Sequence, residues 1–171
     1  MNALRSLTIA GIMLILSSFA YAIHDTPAAE SGVAMPGADA AELYGYVTKK
    51  SPYTGWQLWP GKGRMYQGTQ PHGEFLTTYV NEAAMSGIKG KKGAMPDAAI
   101  IAKENYGPDR KFSALTIIYK IKGYNPAAGD WFWAKYDGSG KVLVSGKAEA
   151  CIRCHEMKKG NDYIFSGDLK K

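Results

Sequence analysis

Asp130-Trp131-Phe132-Trp133-Ala134-Lys135-Tyr136, then Asp137-Gly138-Ser139-Gly140 and Lys141 to Ser145, reads as a strand, a tight turn and a returning strand. Aromatic side chains suit a pleated surface, and the glycines supply the left-handed backbone that hairpin turns need. Upstream, Leu115 to Lys122 is rich in β-branched residues and reads as a third strand, entered through the turn Gly107-Pro108-Asp109. Ala98 to Glu104 is apolar on both faces until Lys103, which predicts a central strand. From His72 the period is two: Glu74, Leu76, Thr78 and Val80 share one face, and Phe75, Thr77 and Tyr79 the other. The expected class is α+β, an antiparallel sheet of about five strands with helices at its edges.

Two of those helices carry start signals. Asp39 is placed to cap a helix over Ala41 to Val47, and Asn81 one over Glu82 to Ile88. Trp56 and Trp59, in an aromatic turn ending at Pro60-Gly61, are expected in the core.

The N-terminus reads as a secretory leader. A basic start ending at Arg5 precedes the apolar run Leu7 to Leu16, and Ala20-Tyr21-Ala22 offers small residues for cleavage before Ile23. The run is shorter than the about 20 residues a membrane-spanning helix needs. The expected organisation is therefore a signal peptide over 1–22, a flexible Pro- and Ala-containing lead-in over 23–40, and one domain over 41–171. The chain has 21 basic and 15 acidic residues, a formal charge of +6. Its lysines are scattered rather than clustered, which speaks against nucleic acid as a partner. After cleavage of the leader no membrane attachment is expected, and the compartment is the periplasm.

Beyond the last strand comes Cys151-Ile152-Arg153-Cys154-His155, containing both cysteines of the chain. Two thiols three residues apart on a helix point to one side and can each add to a haem vinyl group, and the next histidine can ligate the iron. The competing reading is a local disulfide or a redox pair. Redox pairs of that spacing usually follow a strand at the start of a βαβ unit, whereas this one follows a Gly- and Lys-containing turn near the chain end. Cys151, Cys154 and His155 are therefore the expected attachment site of one covalent haem c, on a short C-terminal helix, with His155 as iron ligand. Met157 is too close to His155 to reach the opposite face of the haem, and the strand content argues against a helical cytochrome bundle.

Taken together, Trp56-x-x-Trp59-Pro60-Gly61, Pro71-His72-Gly73, Tyr79-Val80-Asn81, Lys103-Glu104-Asn105, Gly129-Asp130-Trp131 and the late Cys-x-x-Cys-His resemble the cytochrome P-460 family, over roughly residues 41–166. The resemblance implies the same antiparallel fold, often dimeric, so that a homodimer is expected. It also implies an open iron site for small nitrogen species. Members either oxidise hydroxylamine, passing electrons to a redox-partner cytochrome, or are β-sheet cytochromes c′ that bind nitric oxide without turnover. A simple electron carrier, with His72 as sixth ligand, is a further alternative.

Residues assigned through the resemblance divide the two branches. Lys103 matches the lysine that cytochromes P-460 join covalently to a haem meso carbon. On strand pattern alone it would instead be a snorkelling or solvent-facing lysine. Leu76 and about Ile118 stand where hydroxylamine-oxidising members carry a distal arginine and glutamate. Glu74, on the same strand face as Leu76, is the candidate replacement carboxylate, against the plainer reading of a solvated strand-end acid. His72 is a second candidate, against a role fixing the turn. Leu76, Ile118 and Phe75 would form an apolar pocket suited to nitric oxide.

Overall fold

The structure is a computed structural model that describes residues 34–170. The leader and the first part of the lead-in lie outside these residues. The end of the lead-in is tied down: the Tyr119 hydroxyl donates to Pro36 O at 3.1 Å, and Asp39 Oδ1 accepts from the backbone N–H groups of Ala41 and Glu42. That capped helix, α1 (Ala40–Gly45), runs into a π-helical turn over Tyr46–Lys50. Pro36 and Asp39, in the expected lead-in, thus make contacts with the domain, through the Tyr119 anchor and the helix cap.

An open antiparallel sheet follows. Its five long strands are β3 (Phe75–Val80), β4 (Ile100–Tyr106), β5 (Phe112–Lys120), β6 (Trp131–Asp137) and β7 (Val142–Gly146). They pair in sequence order, joined by turns and by the Asn81-capped helix α2 (Glu82–Gly90). Two strands were not anticipated, β1 (Gln57–Leu58) and β2 (Tyr66–Gln67), both paired to the outer side of β3. Two-residue strands have no periodicity of their own, and only β3 makes them strands. The α+β class stands, with seven strands in the sheet.

Each face of the sheet has its own apolar layer. One face packs Ile100, Ala102, Leu115, Ile117, Phe132 and Tyr136 against Leu43 and Val47 of the N-terminal helix. Burying each such large side chain contributes about 1.5–3 kcal/mol. The opposite face packs Val80, Ile101, Trp131 and Trp133 against α2 residues Ala84, Met85 and Ile88, and against Ile164 and Leu169 near the C-terminus. Trp59 joins this second layer at 3 % exposure, whereas Trp56 is half-buried against the first, its indole N–H donating to Ser51 Oγ.

The register sets what shares the second face. Thr78 and Thr116 flank Lys103, Leu76 flanks Asn105, and Ile118 stands between Ile101 and Trp133. The helix α3 (Glu149–His155) lies over this face. Among the described residues no helix is long and apolar enough to cross a membrane.

Candidate haem site

Two adjoining cavities, of about 240 Å³ and about 340 Å³, open between this face and α3. They share Pro71, His72, Lys103, Cys154, His155, Phe165 and Ser166. Ile101, Ile118, Trp133, Val144 and Ile164 make the first apolar, while Lys62, Tyr66, Gln67 and Thr69 make the second polar. Among the described residues no Asp or Glu lines either.

On α3, Cys151 and Cys154 are free, half-buried, and both face the first cavity. Burial raises the Cys151 thiol above its ordinary pKa. His155 is clamped on several sides. Its ring lies 4.7 Å from Trp133, 5.1 Å from Phe165 and 6.0 Å from His72, measured between ring centroids. Its Nδ1 is 2.7 Å from the Tyr163 carbonyl oxygen. A carbonyl only accepts, so Nδ1 carries the proton and Nε2 keeps a free lone pair. Burial also lowers the His155 pKa, favouring the neutral, ligating form.

The Tyr163 carbonyl is itself held. Asp162 and Tyr163 have φ of 53° and 65°, a left-handed pair. Asp162, 8 % exposed, takes both carboxylate oxygens to Lys120 Nζ at 2.6 and 2.9 Å and accepts the Met95 N–H at 2.7 Å. The Trp131 indole N–H donates to Asp162 O at 2.9 Å. This long-range arrangement orients the His155 imidazole from behind, and nothing in local sequence announced it.

Lys103 lies mid-strand on β4, projects into both cavities and has no acidic partner among the described residues. Burial, and secondarily the charge of Lys62, lowers its pKa to about 8. The solvent-facing reading of this lysine is therefore set aside. His72 also enters both cavities; burial first, then the charges of Lys103 and His155, lowers its pKa to about 3.

The other expected residues separate. Leu76 lines the polar cavity and Ile118 the apolar one. Phe75 joins neither: strand alternation turns it to the other side, where Arg110 lies over its ring at 4.4 Å. Glu74 is exposed, accepts from Gln67 Nε2 at 3.3 Å and lines neither cavity. It precedes the first residue of β3, so the face alternation does not extend to it.

Glu104, next to Lys103, faces the opposite way and was not anticipated. Tyr53, Tyr79 and Tyr106 all donate their hydroxyls to its carboxylate, at 3.1, 3.1 and 2.7 Å, and Arg64 donates to the Tyr79 oxygen. It belongs to the scaffold behind the site.

These residues fit a haem. Paired thiols and a free imidazole nitrogen sit on one helix beside an apolar cavity with a polar annexe. A bare metal ion is served poorly, since among the described residues no three His, Cys, Asp or Glu side chains converge. No curated protein matches the chain. The family model described as Cytochrome P460 matches residues 52–166, which takes in both cavity walls, Lys103 and the Cys-x-x-Cys-His helix. With two thirds of its length matched and its sheet, thiols and imidazole arranged for haem c, the chain belongs to the cytochrome P460 family and is a c-type cytochrome.

Proposed function

We propose that this cytochrome is a periplasmic monohaem protein that oxidises hydroxylamine, with its electrons passing to a partner cytochrome. In this reading Cys151 and Cys154 each add S–H across a haem vinyl group, and His155 Nε2 is the proximal ligand. Haem c supplies the iron that accepts electrons from the substrate nitrogen. The chain's own residues exclude bulk water through Ile101, Ile118, Trp133 and Phe165, and hold small ligands beside the shared wall of the cavities.

The observation that carries the reading is Lys103. Its side chain enters the same cavity as Cys154 and His155 with no counter-charge among the described residues, and burial lowers its pKa to about 8. Bond formation to a porphyrin carbon requires a neutral amine, and burial raises the neutral fraction; the bond replaces an amine N–H and a porphyrin C–H, so two protons and two electrons leave to an external two-electron oxidant.

A nitric-oxide-binding role without turnover is the second reading. Its support is the lack of a lining carboxylate among the described residues, together with Leu76 and Ile118, which suit an uncharged diatomic.

Mass spectrometry of a digest separates the two. The enzyme reading expects haem joined both to the Cys151–Cys154 peptide and to the Lys103 peptide, a ferrous absorption band displaced strongly to the red, and hydroxylamine turnover with an artificial electron acceptor. A haem-free Lys103 peptide with no turnover above free haem would leave nitric oxide binding as the function.

A further inference from the structure

His72 stands on a turn whose backbone is held at both ends. Gly68 N–H donates to Glu74 O at 2.7 Å, His72 N–H to Thr69 O at 3.2 Å, and Glu74 N–H to Tyr106 O at 3.0 Å. Gly73 permits the last contact: its φ is +127°, and a Cβ there would lie 2.7 Å from the Tyr106 carbonyl oxygen. The turn is thereby seated against the end of β4, beside Asn105, and the His72 ring enters both cavities.

Asn105 is 1 % exposed. Its Nδ2 lies 3.1 Å from Lys103 O, 3.0 Å from Ala114 O and 3.2 Å from Thr116 Oγ1. Reversing the amide would set oxygen against two carbonyl oxygens, so the orientation is decided. Oδ1 is left buried with no hydrogen bond of normal geometry, although the Asn105 side chain lies within hydrogen-bonding reach of the His72 ring. A buried acceptor without a donor is costly, and an imidazole N–H is the donor at hand.

We propose that Asn105 Oδ1 takes one ring N–H of His72, leaving the other ring nitrogen unprotonated and facing the cavity as acceptor for a small ligand bearing N–H or O–H groups. Asn105 is then a positioning residue, and His72 the group that touches the ligand. Hydroxylamine bears both kinds of hydrogen and nitric oxide bears neither, so the pair discriminates between them. The inference rests on the hydroxylamine reading and supplies the proton acceptor that the linings otherwise lack: they hold no carboxylate, and a Lys103 nitrogen bonded to the porphyrin has its lone pair engaged.

The test is optical titration of the ferric holoprotein with hydroxylamine, without an electron acceptor, and with nitric oxide in parallel. His72→Phe is expected to weaken hydroxylamine binding about tenfold or more while nitric oxide binding stays within about twofold. His72→Gln, whose Oε1 can accept, should recover most of the loss. Asn105→Leu should weaken hydroxylamine binding alone, by roughly threefold to tenfold. Because Asn105 is buried, the decision rests on the two His72 variants, whose turn lies outside the core. Equal loss for both ligands, or no loss for either, overturns the proposal. So does a low-spin six-coordinate resting spectrum that disappears in His72→Phe, which would make His72 an iron ligand. Wild-type protein that binds no hydroxylamine overturns the enzyme reading as well; unchanged binding in the variants overturns this inference alone.

Discussion

His155 Nδ1 and the carbonyl oxygen of Tyr163 are 2.7 Å apart, and this contact decides which imidazole nitrogen faces the cavity. The acceptor is backbone, so no side chain in the sequence marks it. Its position depends on a left-handed turn at Asp162 and Tyr163 that the Lys120–Asp162 ion pair holds against β5.

Removing that hold should be felt both in stability and in the orientation of the His155 ring. Asp162→Ala leaves Lys120 buried and unpaired and the Met95 N–H without its acceptor, at an expected cost of about 3–5 kcal/mol. Urea denaturation of the holoprotein measures it. A variant within about 0.5 kcal/mol of wild type would mean that solvent reaches Lys120.

Lys103 should react as an amine already at neutral pH. With a pKa near 8, about a tenth of it is unprotonated at pH 7, against roughly 0.03 % for a lysine at 10.5. In protein isolated without the lysine–haem bond, labelling of Lys103 by an amine-reactive reagent should rise through pH 8 and then level. The sign for stability follows: the charged lysine is penalised in the folded state below about pH 8, and the penalty fades as pH rises towards 10.5. Peptide-level mass spectrometry reads the labelling.

On the other face of β4, Glu104→Ala deprives three phenols of their acceptor, with an expected loss of about 2–4 kcal/mol. Burial first, then the bond to Glu104 and its charge, raise Tyr106 to about 12. A raised tyrosine keeps its proton in the folded state, so its contribution to stability is present below pH 10 and lost as pH rises towards 12. Ultraviolet titration of phenolate should show delayed ionisation in wild type and earlier ionisation in Glu104→Ala.

The Gly73 position tolerates no side chain. Gly73→Ala combines a φ of +127° with a Cβ against the Tyr106 carbonyl, and should cost about 1–3 kcal/mol. The variant should also shift the haem spectrum, because the same turn carries His72 into the cavity. Unchanged denaturation and spectrum would show that the turn relaxes freely.

Much of the scaffold was legible in the residues alone. One period-two run, apolar, β-branched and aromatic runs and a hairpin turn located the five long strands within a few residues, and Asp39 and Asn81 marked helix starts through oxygens that do accept backbone N–H groups. Alternation also puts Lys103 with Ile101 and Asn105 on one face of β4, and that face became the cavity wall. The strands β1 and β2 were not legible, since two residues carry no pattern. Phe75 and Glu74 show the limit of reading a site from proximity in sequence: one faces the other side, and the other stops short of the sheet.

Sequence by itself determined the pair of thiols, the adjacent imidazole and the sheet that backs them, because helical spacing and strand alternation are local geometry. Tertiary structure alone decided the tautomer of His155, the lowered pKa of Lys103 and the isolation of Asn105 Oδ1 beside His72. Each depends on burial or on a partner distant in the chain, and neither is a property of a local segment.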